Sequence, residues 1–466
     1  MRLLASVAAL ALHTAPVLPT TGGVPVQELR ALVDSVIGAR MAAEHIRGAA
    51  FVMVEDGRVT YARGYGVSDL DRGRPVDPDT TLFRIGSITK VFTATALMQL
   101  ADAGRISLDE DVNRYLTSVR VPGTYPQPVT ARHLLSHMGG FDEIRPGTQA
   151  ESEAAVVPLR EFLRTRLVRV RPPGEVPAYS TYGISLAALI VEDVTGQPFE
   201  EYLKEHVLAP LGMQRSGITL PPALHAELAP GYEYLDHRHV KQPYEWYHTA
   251  SASSLSATPT DMARFMIAHL GNGAIGGSRI LSGRSARAMR QPNGRGHPDV
   301  PGVALGFFEG DLFGARIVEH GGTVAGTSSG MVLLPDHGAG FFVVGHVEGS
   351  TLRDALREAI VRRFFARAAP PHPSRRWEPA AQAFAGRYRW NVYCHSCGRP
   401  APQQGPTVSV NEDGTLTFAG QRWVRTGPLL FRRVDGARVL GFRQDPTGRV
   451  THLFIDGPLT FERITP

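Results

Sequence analysis

The stretch Phe83-Arg84-Ile85-Gly86-Ser87-Ile88-Thr89-Lys90 carries the strongest signal in this sequence of 466 residues. A short apolar segment leads into it, and a helical pattern runs from Ser87 to about Ala103, where Gly104 favours a left-handed helix end. Residues three positions apart share a helix face, so the Ser87 hydroxyl and the Lys90 amine can meet. A desolvated lysine can take the proton of a serine, and a helix N-terminus stabilises developing negative charge. The spacing predicts a serine nucleophile activated by lysine.

Lysine is rare in this chain, which strengthens that interpretation. Lys90, Lys204 and Lys241 are the three lysines among 49 basic residues, and arginine supplies the rest. Arginine stays protonated under ordinary conditions, whereas lysine can act as a base. A lysine at this spacing therefore favours catalysis over the ordinary alternative, which is a helix-capping serine followed by a solvated lysine.

The composition indicates a globular chain with a sizeable core, since 43% of residues are hydrophobic and 20% are charged. The formal net charge of +5 is modest, and no dense basic block is interleaved with aromatic residues. We therefore expect no nucleic-acid partner. No stretch reaches the roughly 18 apolar residues of a membrane span, so no span is expected. A small-molecule or short-peptide substrate is the expected partner, and the oligomeric state is left open.

Two local features bear on localisation. Met1-Arg2 and the apolar run 3–12 resemble a signal peptide, which predicts export to the periplasm or the medium. A disordered tail on a cytoplasmic protein is the alternative. Cys394 and Cys397 lie three positions apart without a second pair of zinc ligands nearby. A local disulfide is favoured, and a pair of reduced thiols is the alternative.

Changes of pattern along the chain divide it into four parts. Residues 1–22 are the signal peptide or a disordered N-terminus, and residues 23–367 alternate helices and strands as one α/β body. Residues 368–377 begin with an Ala- and Pro-rich linker. Residues 378–466 contain short alternating segments separated by Gly-containing turns, which predict a small antiparallel barrel or sandwich.

Several segments together resemble the serine β-lactamase and penicillin-binding-protein superfamily, in its class C β-lactamase-like branch of esterases and D-amino-acid-peptide hydrolases. Residues 83–90 look like its nucleophile segment, and 129–140 look like the segment between the first two catalytic motifs. Residues 208–213 and 256–263 are also similar to family stretches. The resemblance implies an α+β fold, with an antiparallel sheet flanked by helices and a helical subdomain. The C-terminal part resembles the lipocalin-like all-β domain of some members.

The resemblance places the second motif at Tyr179-Ser180-Thr181. The family usually has Tyr-x-Asn here, and the tyrosine accepts and donates the proton at the serine. Tyr179 fits this role, but Thr181 replaces the asparagine. A hydroxyl lacks the two donors and the acceptor of an amide. The substitution therefore argues against recognition of an acylamido substrate, and hence against β-lactam hydrolysis.

The third motif is His320-Gly321-Gly322, on an edge strand expected to line the site. Penicillin-recognising members carry Lys-Thr-Gly here, while esterases and peptidases often carry His-x-Gly. Gly321 and Gly322 allow close approach of the strand to a substrate. The resemblance implies that the amides of Thr323 and Ser87 form the oxyanion hole. His320 is expected to relay protons or bond a carbonyl near neutral pH, and a structural surface histidine is the alternative.

Other residues are weaker candidates. Trp246 and His248 lie in an aromatic segment that either lines the pocket or packs against the body. His133 and His137 are four apart on a short helix and imitate a metal pair, but no acidic motif accompanies them, which favours structural roles. No phosphate cradle is present, and neither a metal nor an organic cofactor is expected.

The prediction is thus a serine hydrolase that cleaves an ester or a D-amino-acid peptide in preference to a β-lactam. The same motifs would serve an acyltransferase or peptide cyclase, because only the acyl acceptor differs. A penicillin- or peptide-binding protein without turnover is the alternative from another class. Thr181 favours that alternative, while Ser87, Lys90 and Tyr179 argue against it.

Overall fold

The computed structural model describes residues 23–143, 147–349, 351–367, 380–398 and 401–464. The expected N-terminal segment 1–22 and the expected linker 368–377 lie outside these residues. In the described ranges, no helix is long and apolar enough to cross a bilayer. The helices are α1 (Val26–Ala43), α2 (Thr89–Asp102), α3 (Ala131–Leu135), α4 (Leu159–Leu163), α5 (Thr181–Thr195), α6 (Phe199–Leu203), α7 (Pro222–His225), α8 (Ala250–Ser253), α9 (Pro259–Leu270), α10 (Gly283–Met289) and α11 (Thr351–Ile360).

The strands fall into two groups. Those of the body are β1 (Gly48–Glu55), β2 (Arg58–Asp69), β3 (Arg74–Pro75), β4 (Phe83–Arg84), β5 (Gln149–Ala150), β6 (Tyr232–Leu235), β7 (Arg238–Lys241), β8 (Trp246–Tyr247), β9 (Ser256–Ala257), β10 (Ala274–Ile275), β11 (Ser278–Arg279), β12 (Phe308–Leu312), β13 (Ala315–Val324), β14 (Thr327–Leu334) and β15 (Ala339–Gly345). Those of the C-terminal part are β16 (Gly386–Trp390), β17 (Thr407–Val410), β18 (Leu416–Phe418), β19 (Gln421–Arg425), β20 (Leu430–Arg433), β21 (Val439–Gln444), β22 (Val450–Ile455) and β23 (Leu459–Arg463).

A seven-stranded antiparallel sheet, in the order β12-β13-β14-β15-β1-β2-β3, forms the centre of the body. Its central strands are buried along nearly their whole length, because helices cover both faces. Phe51 and Phe341 pack on one face with α1 and α11, while Val52 and Phe342 pack on the other with α2 and α9. The antiparallel sheet flanked by helices is therefore confirmed.

The start of α2 differs from the sequence expectation. Ser87 lies in a 3-10 turn, Gly86–Ile88, and the α-helix begins at Thr89. Gly86 adopts a φ of +55°, and a Cβ there would lie 2.8 Å from the amide nitrogen of Thr323. Glycine is needed because β13 approaches this turn closely. The tighter turn at Ser87 therefore occurs where β13, a strand distant in sequence, packs closely against it.

Strands β16 to β23 form a closed barrel, which confirms the small C-terminal all-β unit. Its interior is apolar and centred on Phe384, Phe431 and Phe442. The barrel packs on the body through a separate apolar cluster that includes Val176 and Phe454. Ion pairs surround this contact, joining Arg432 to Asp311 at 3.0 Å and Arg433 to Glu358 at 2.8 Å.

Candidate active site

Ser87 and Lys90 meet as their spacing predicts. The Lys90 Nζ donates to Ser87 Oγ at 3.2 Å and to the carbonyl oxygen of Ala252 at 2.9 Å. Lys90 is 1% exposed, and Ser87 is half-buried among neighbours that are fully buried. The hydroxyl is therefore reachable from outside, while the amine beside it is shielded from water. This arrangement can deliver a serine alkoxide to a bound carbonyl.

Tyr179 lies against the same lysine, with its ring centroid 5.0 Å from Lys90 Nζ. Its backbone is held on both sides by His137. The Ala178 N–H donates to the His137 carbonyl at 2.9 Å, and the Ser180 N–H donates to His137 Nδ1 at 3.1 Å. The His137 and Tyr179 ring centroids are 4.7 Å apart. His137 is thus a neighbour of Tyr179 and not half of a metal pair with His133, which caps its own helix through Thr130.

The third motif lies on β13, which is the second strand of the sheet and not its edge. The pairing of β12 with β13 ends at Glu319, so residues 320–324 are left open on that side. A Cβ on Gly322 would lie 1.9 Å from the carbonyl oxygen of Ile85, so only glycine allows this approach. The exposed Thr323 thereby brings its amide next to the turn that carries Ser87.

His320 is buried at 1% exposure and stacks on Phe308 at 4.3 Å, so the surface alternative does not apply. Burial, with a further contribution from the nearby Lys90 charge, lowers the pKa of His320 to about 3. The imidazole is therefore neutral at pH 7. The expected relay of protons near neutral pH is not supported by this pKa, whereas hydrogen bonding is compatible with it.

Hydrogen bonds assign the proton positions on the two site histidines. His320 Nδ1 lies 2.8 Å from the Gly321 carbonyl and therefore carries the proton, while His137 Nδ1 accepts from Ser180 and therefore does not. Each Nε2 is buried and lacks a hydrogen-bond partner among the described residues. Burial, followed by the Lys90 charge, also holds the pKa of His137 well below its ordinary value. The site thus presents one unpaired donor and one unpaired acceptor beside Tyr179.

The N-terminus of α5 is capped by Ser180, which follows Tyr179 and accepts the Gly183 N–H at 2.9 Å, and the Glu143 side chain lies against the same turn. The carboxylate accepts the Tyr182 N–H at 3.2 Å and is bonded by the Thr181 amide and the Ser180 side chain. Burial raises the pKa of Glu143 to about 7. Thr181, expected as a substrate contact, is thus the first helical residue and is held through its backbone.

Trp246 and His248 have other neighbours. The His248 Nδ1 accepts the Val157 N–H at 3.2 Å, and its ring stacks on Phe162 at 4.9 Å. Trp246 contacts Tyr244, with ring centroids 4.4 Å apart. The described interactions place both side chains in packing contacts, and none joins them to Ser87.

The barrel contributes residues next to Tyr179. Cys394 and Cys397 form a disulfide, as the favoured interpretation predicts, at the end of a turn over residues 391–397, here called the disulfide turn. Tyr393 and His395 of this turn line a narrow crevice together with Tyr179. This contact could not be predicted from the sequence, because nothing near the Cys-x-x-Cys pattern indicates which part of the body it contacts.

The other missed residues carried weak sequence signals. Asp142 and Glu143 follow the glycines of the 129–140 segment after Phe141, and this position in the sequence does not indicate which residues they contact. Across the described ranges, no group of three or more His, Cys, Asp or Glu side chains is arranged to hold a metal ion.

Comparisons with known proteins identify the family of the chain. A family model described as Beta-lactamase matches residues 33–363. Penicillin-binding protein 4 of Amycolatopsis lactamdurans is 30% identical over 332 residues, which cover 68% of this chain and 85% of that protein. Protein flp of Staphylococcus aureus strain MW2 is 27% identical over 324 residues, which cover 68% of this chain. The matched region spans 62% of the length of Protein flp.

Solved structures extend the similarity across nearly the whole chain. The octameric penicillin-binding protein homologue from Pyrococcus abyssi matches with a TM-score of 0.64 at 24% identity, covering 93% of this chain and 99% of that one. SurE matches with a TM-score of 0.64 at 22% identity, covering 94% of this chain and 99% of its own. At these identities the likeness concerns the fold, and it includes the C-terminal barrel.

Proposed function

The chain belongs to the serine β-lactamase and penicillin-binding-protein superfamily, and on this premise we propose that it is a serine hydrolase acting through an acyl-enzyme on Ser87. The observation that carries the proposal is the 3.2 Å contact between Lys90 Nζ and Ser87 Oγ. This contact lies beside the open edge of β13, where Thr323 offers its amide.

In the proposed reaction, Ser87 Oγ attacks a substrate carbonyl while its proton passes to Lys90 or Tyr179. The amides of Ser87 and Thr323 hold the oxyanion that forms. The carbon–leaving-group bond then breaks, and Tyr179 returns the proton to the leaving group. Water, deprotonated by the same groups, attacks the acyl-enzyme, and the proton returns to Ser87 as the acid leaves.

We propose esters, and secondarily D-amino-acid peptides, as substrates in preference to β-lactams. The buried His320 is neutral at pH 7, so it cannot supply the permanent charge that a lysine would offer to a β-lactam carboxylate. Thr181 replaces an amide side chain and is engaged through its backbone by Glu143. Each lost contact weakens transition-state binding by roughly 1–3 kcal/mol, or about tenfold to a hundredfold in rate.

A substrate panel tests this proposal. We expect kcat/KM on p-nitrophenyl acetate to exceed that on a chromogenic cephalosporin by at least about a hundredfold. The double variant Thr181→Asn with His320→Lys should narrow the gap. Comparable constants for the wild type on both substrates would contradict the assignment of substrate class to these two positions.

Two alternatives are resolved by the same assays. Adding a D-amino acid to the ester reaction separates hydrolysis from acyl transfer, because transfer yields an N-acylated product. A fluorescent phosphonate probe separates an enzyme from a binding protein, since a site without an activated serine would not be labelled. Labelling that disappears in Ser87→Ala is the expected result.

We also propose that the chain is exported and that residues 23–367 and 378–466 are separate domains. The pattern of residues 1–12 and the Cys394–Cys397 disulfide both favour an oxidising compartment. Cell fractionation with a periplasmic marker tests the first point. Limited proteolysis that cuts first within 368–377 is the expected result for the second.

A further inference from the structure

One side chain of the body, Asp142, accepts several hydrogen bonds from the disulfide turn. Asp142 accepts the His395 N–H at 2.9 Å, the Ser396 N–H at 2.8 Å and the Ser396 hydroxyl at 2.7 Å. Asp142 is completely buried. All three donors belong to residues enclosed by the disulfide, so the covalent ring restricts them to an arrangement that the carboxylate can bind. Three hydrogen bonds to one buried side chain fix the turn on the body.

A second set of contacts ties the same turn to the backbone before Tyr179. The Asn391 side-chain nitrogen donates to the Pro177 carbonyl at 2.9 Å, two residues before Tyr179. Arg171 of the body donates to the Asn391 carbonyl at 3.3 Å and to His395 Nε2 at 3.0 Å. The barrel therefore contacts the segment that contains Tyr179, the proposed proton donor, in addition to its contacts with the sheet and helices of the body.

These contacts place the disulfide turn beside Tyr179. Tyr179 lines one side of a narrow crevice, and Tyr393 and His395 line the other side, with their rings stacked at 3.8 Å. Because Tyr179 is the proposed proton donor to the leaving group, a leaving group that departs past this residue would meet the disulfide turn.

From this geometry we propose that the disulfide turn is a specificity element for the leaving group. It admits small alcohols or amines, such as a short alkoxide or a single amino acid, and rejects bulky ones. Asp142 is a positioning residue that acts through the turn, whereas Tyr393 and His395 line the crevice next to Tyr179. The inference rests on the proposed serine hydrolase function and adds that the barrel selects the leaving group of the substrate.

The first test compares two esters with the same acyl group, methyl butyrate and 4-methylumbelliferyl butyrate. The ratio of kcat/KM for the bulky ester to that for the small ester should rise at least fivefold in Asp142→Asn relative to the wild type. Differences in intrinsic reactivity cancel when the two proteins are compared. Asp413→Asn is the matched control, because Asp413 makes comparable bonds to Thr415 in another turn of the barrel. This control should leave the ratio unchanged.

The second test uses the intact wild-type chain and a reductant. Cys394 and Cys397 are the two cysteines of the sequence, so dithiothreitol acts on this disulfide alone. Reduction should raise the same ratio, with KM for the bulky ester falling more than kcat changes. The double variant Cys394→Ser with Cys397→Ser should show the raised ratio and no further response to the reductant.

An acyl-chain series completes the design, since 4-nitrophenyl acetate and octanoate share one leaving group. Their relative kcat/KM should not change in Asp142→Asn or after reduction. An unchanged leaving-group ratio, or a change confined to the acyl series, would overturn this inference while Ser87-dependent turnover still stood. Absence of any Ser87-dependent turnover in the wild type would overturn the inference together with the proposed function.

Discussion

The two walls of the Ser87 site are built in different ways. The inner wall consists of short motifs of the body, in which Ser87 and Lys90 meet across one helical turn. The outer wall is a turn of the barrel that reaches Asp142 from 253 positions further along the chain. The first wall carries the groups proposed to move protons, and the second carries rings and backbone amides. The proposed chemistry therefore depends on local spacing, whereas the proposed selection of the leaving group depends on how the barrel docks on the body.

The largest expected effect comes from the inner wall. Ser87→Ala should reduce turnover of p-nitrophenyl acetate by at least about 10⁴-fold, because no acyl-enzyme can form. Circular dichroism should remain native-like. Ser107→Ala, a serine of the body outside the site, is the control and should retain activity. Activity that persisted in a folded Ser87→Ala protein would show that Ser87 is not the nucleophile.

Lys90 should follow closely. Both Lys90→Arg and Lys90→Ala should lower kcat by about 10²- to 10⁴-fold, because arginine keeps the charge but cannot accept a proton near neutral pH. Lys204→Arg is the matched control, since Lys204 is exposed on the body surface. If Lys90→Arg kept most of its rate, Lys90 would be an electrostatic aid, and Tyr179 would have to be the base.

A smaller effect is expected at His137, which holds the backbone around Tyr179 without facing the nucleophile. His137→Ala should lower kcat by about 10- to 100-fold with little change in KM, because a misplaced proton donor slows the chemical step. His137→Asn should recover most of the loss. Asparagine retains an acceptor and tolerates the left-handed φ of +55° found here.

His133→Ala provides the comparison, because His133 lies on α3, which ends two residues before His137. His133 contacts Thr130 and does not contact the Tyr179 segment in the described structure. This variant should lower thermal stability and leave kcat within about twofold of the wild type. Equal losses of kcat in the alanine variants of both histidines would show that His137 acts only through the stability of this part of the body.

The smallest effect on the site comes from a histidine of the core, which is expected to change the free energy of unfolding. Burial lowers the pKa of His269 to about 3, far below the ordinary 6.5. Below pH 6.5 the His269 imidazole is protonated in the unfolded chain, whereas in the folded chain it stays neutral until the pH falls to about 3. The stability from this histidine is therefore complete above pH 6.5 and is lost as the pH falls toward 3, by about 1.4 kcal/mol per pH unit.

Urea unfolding between pH 7.5 and 5 measures this contribution. In His269→Gln, the free energy of unfolding should fall less steeply as the pH is lowered, because the unfolded variant takes up about one proton fewer. Its free energy of unfolding at pH 7.5 should also be lower than that of the wild type. His239→Gln is the control, because His239 is partly exposed and outside the core. An unchanged slope in His269→Gln would show that this histidine is already protonated in the folded state.

Much of the inner wall could be predicted before any coordinates. The contact of Ser87 with Lys90 follows from helical spacing, and the strands around His320 follow from their apolar pattern. The sequence did not reveal that Ser87 lies in a 3-10 turn, because that turn adjoins β13, more than 200 residues later. Nor could it foresee that Trp246 and His248 pack elsewhere, since an aromatic segment packs as readily as it binds.

The sequence by itself determined the order of motifs, and it predicted a C-terminal unit of short antiparallel strands and favoured the pairing of Cys394 with Cys397, because each depends on short-range spacing or periodicity. The antiparallel sheet of the body was implied by the family resemblance. Only the tertiary structure decided that Asp142 clasps the disulfide turn, that His137 holds the backbone on both sides of Tyr179, and that His320 is neutral. Those features depend on burial and on contacts between distant segments. A carboxylate or an imidazole takes its role from the donors and the water around it, and the fold alone sets both.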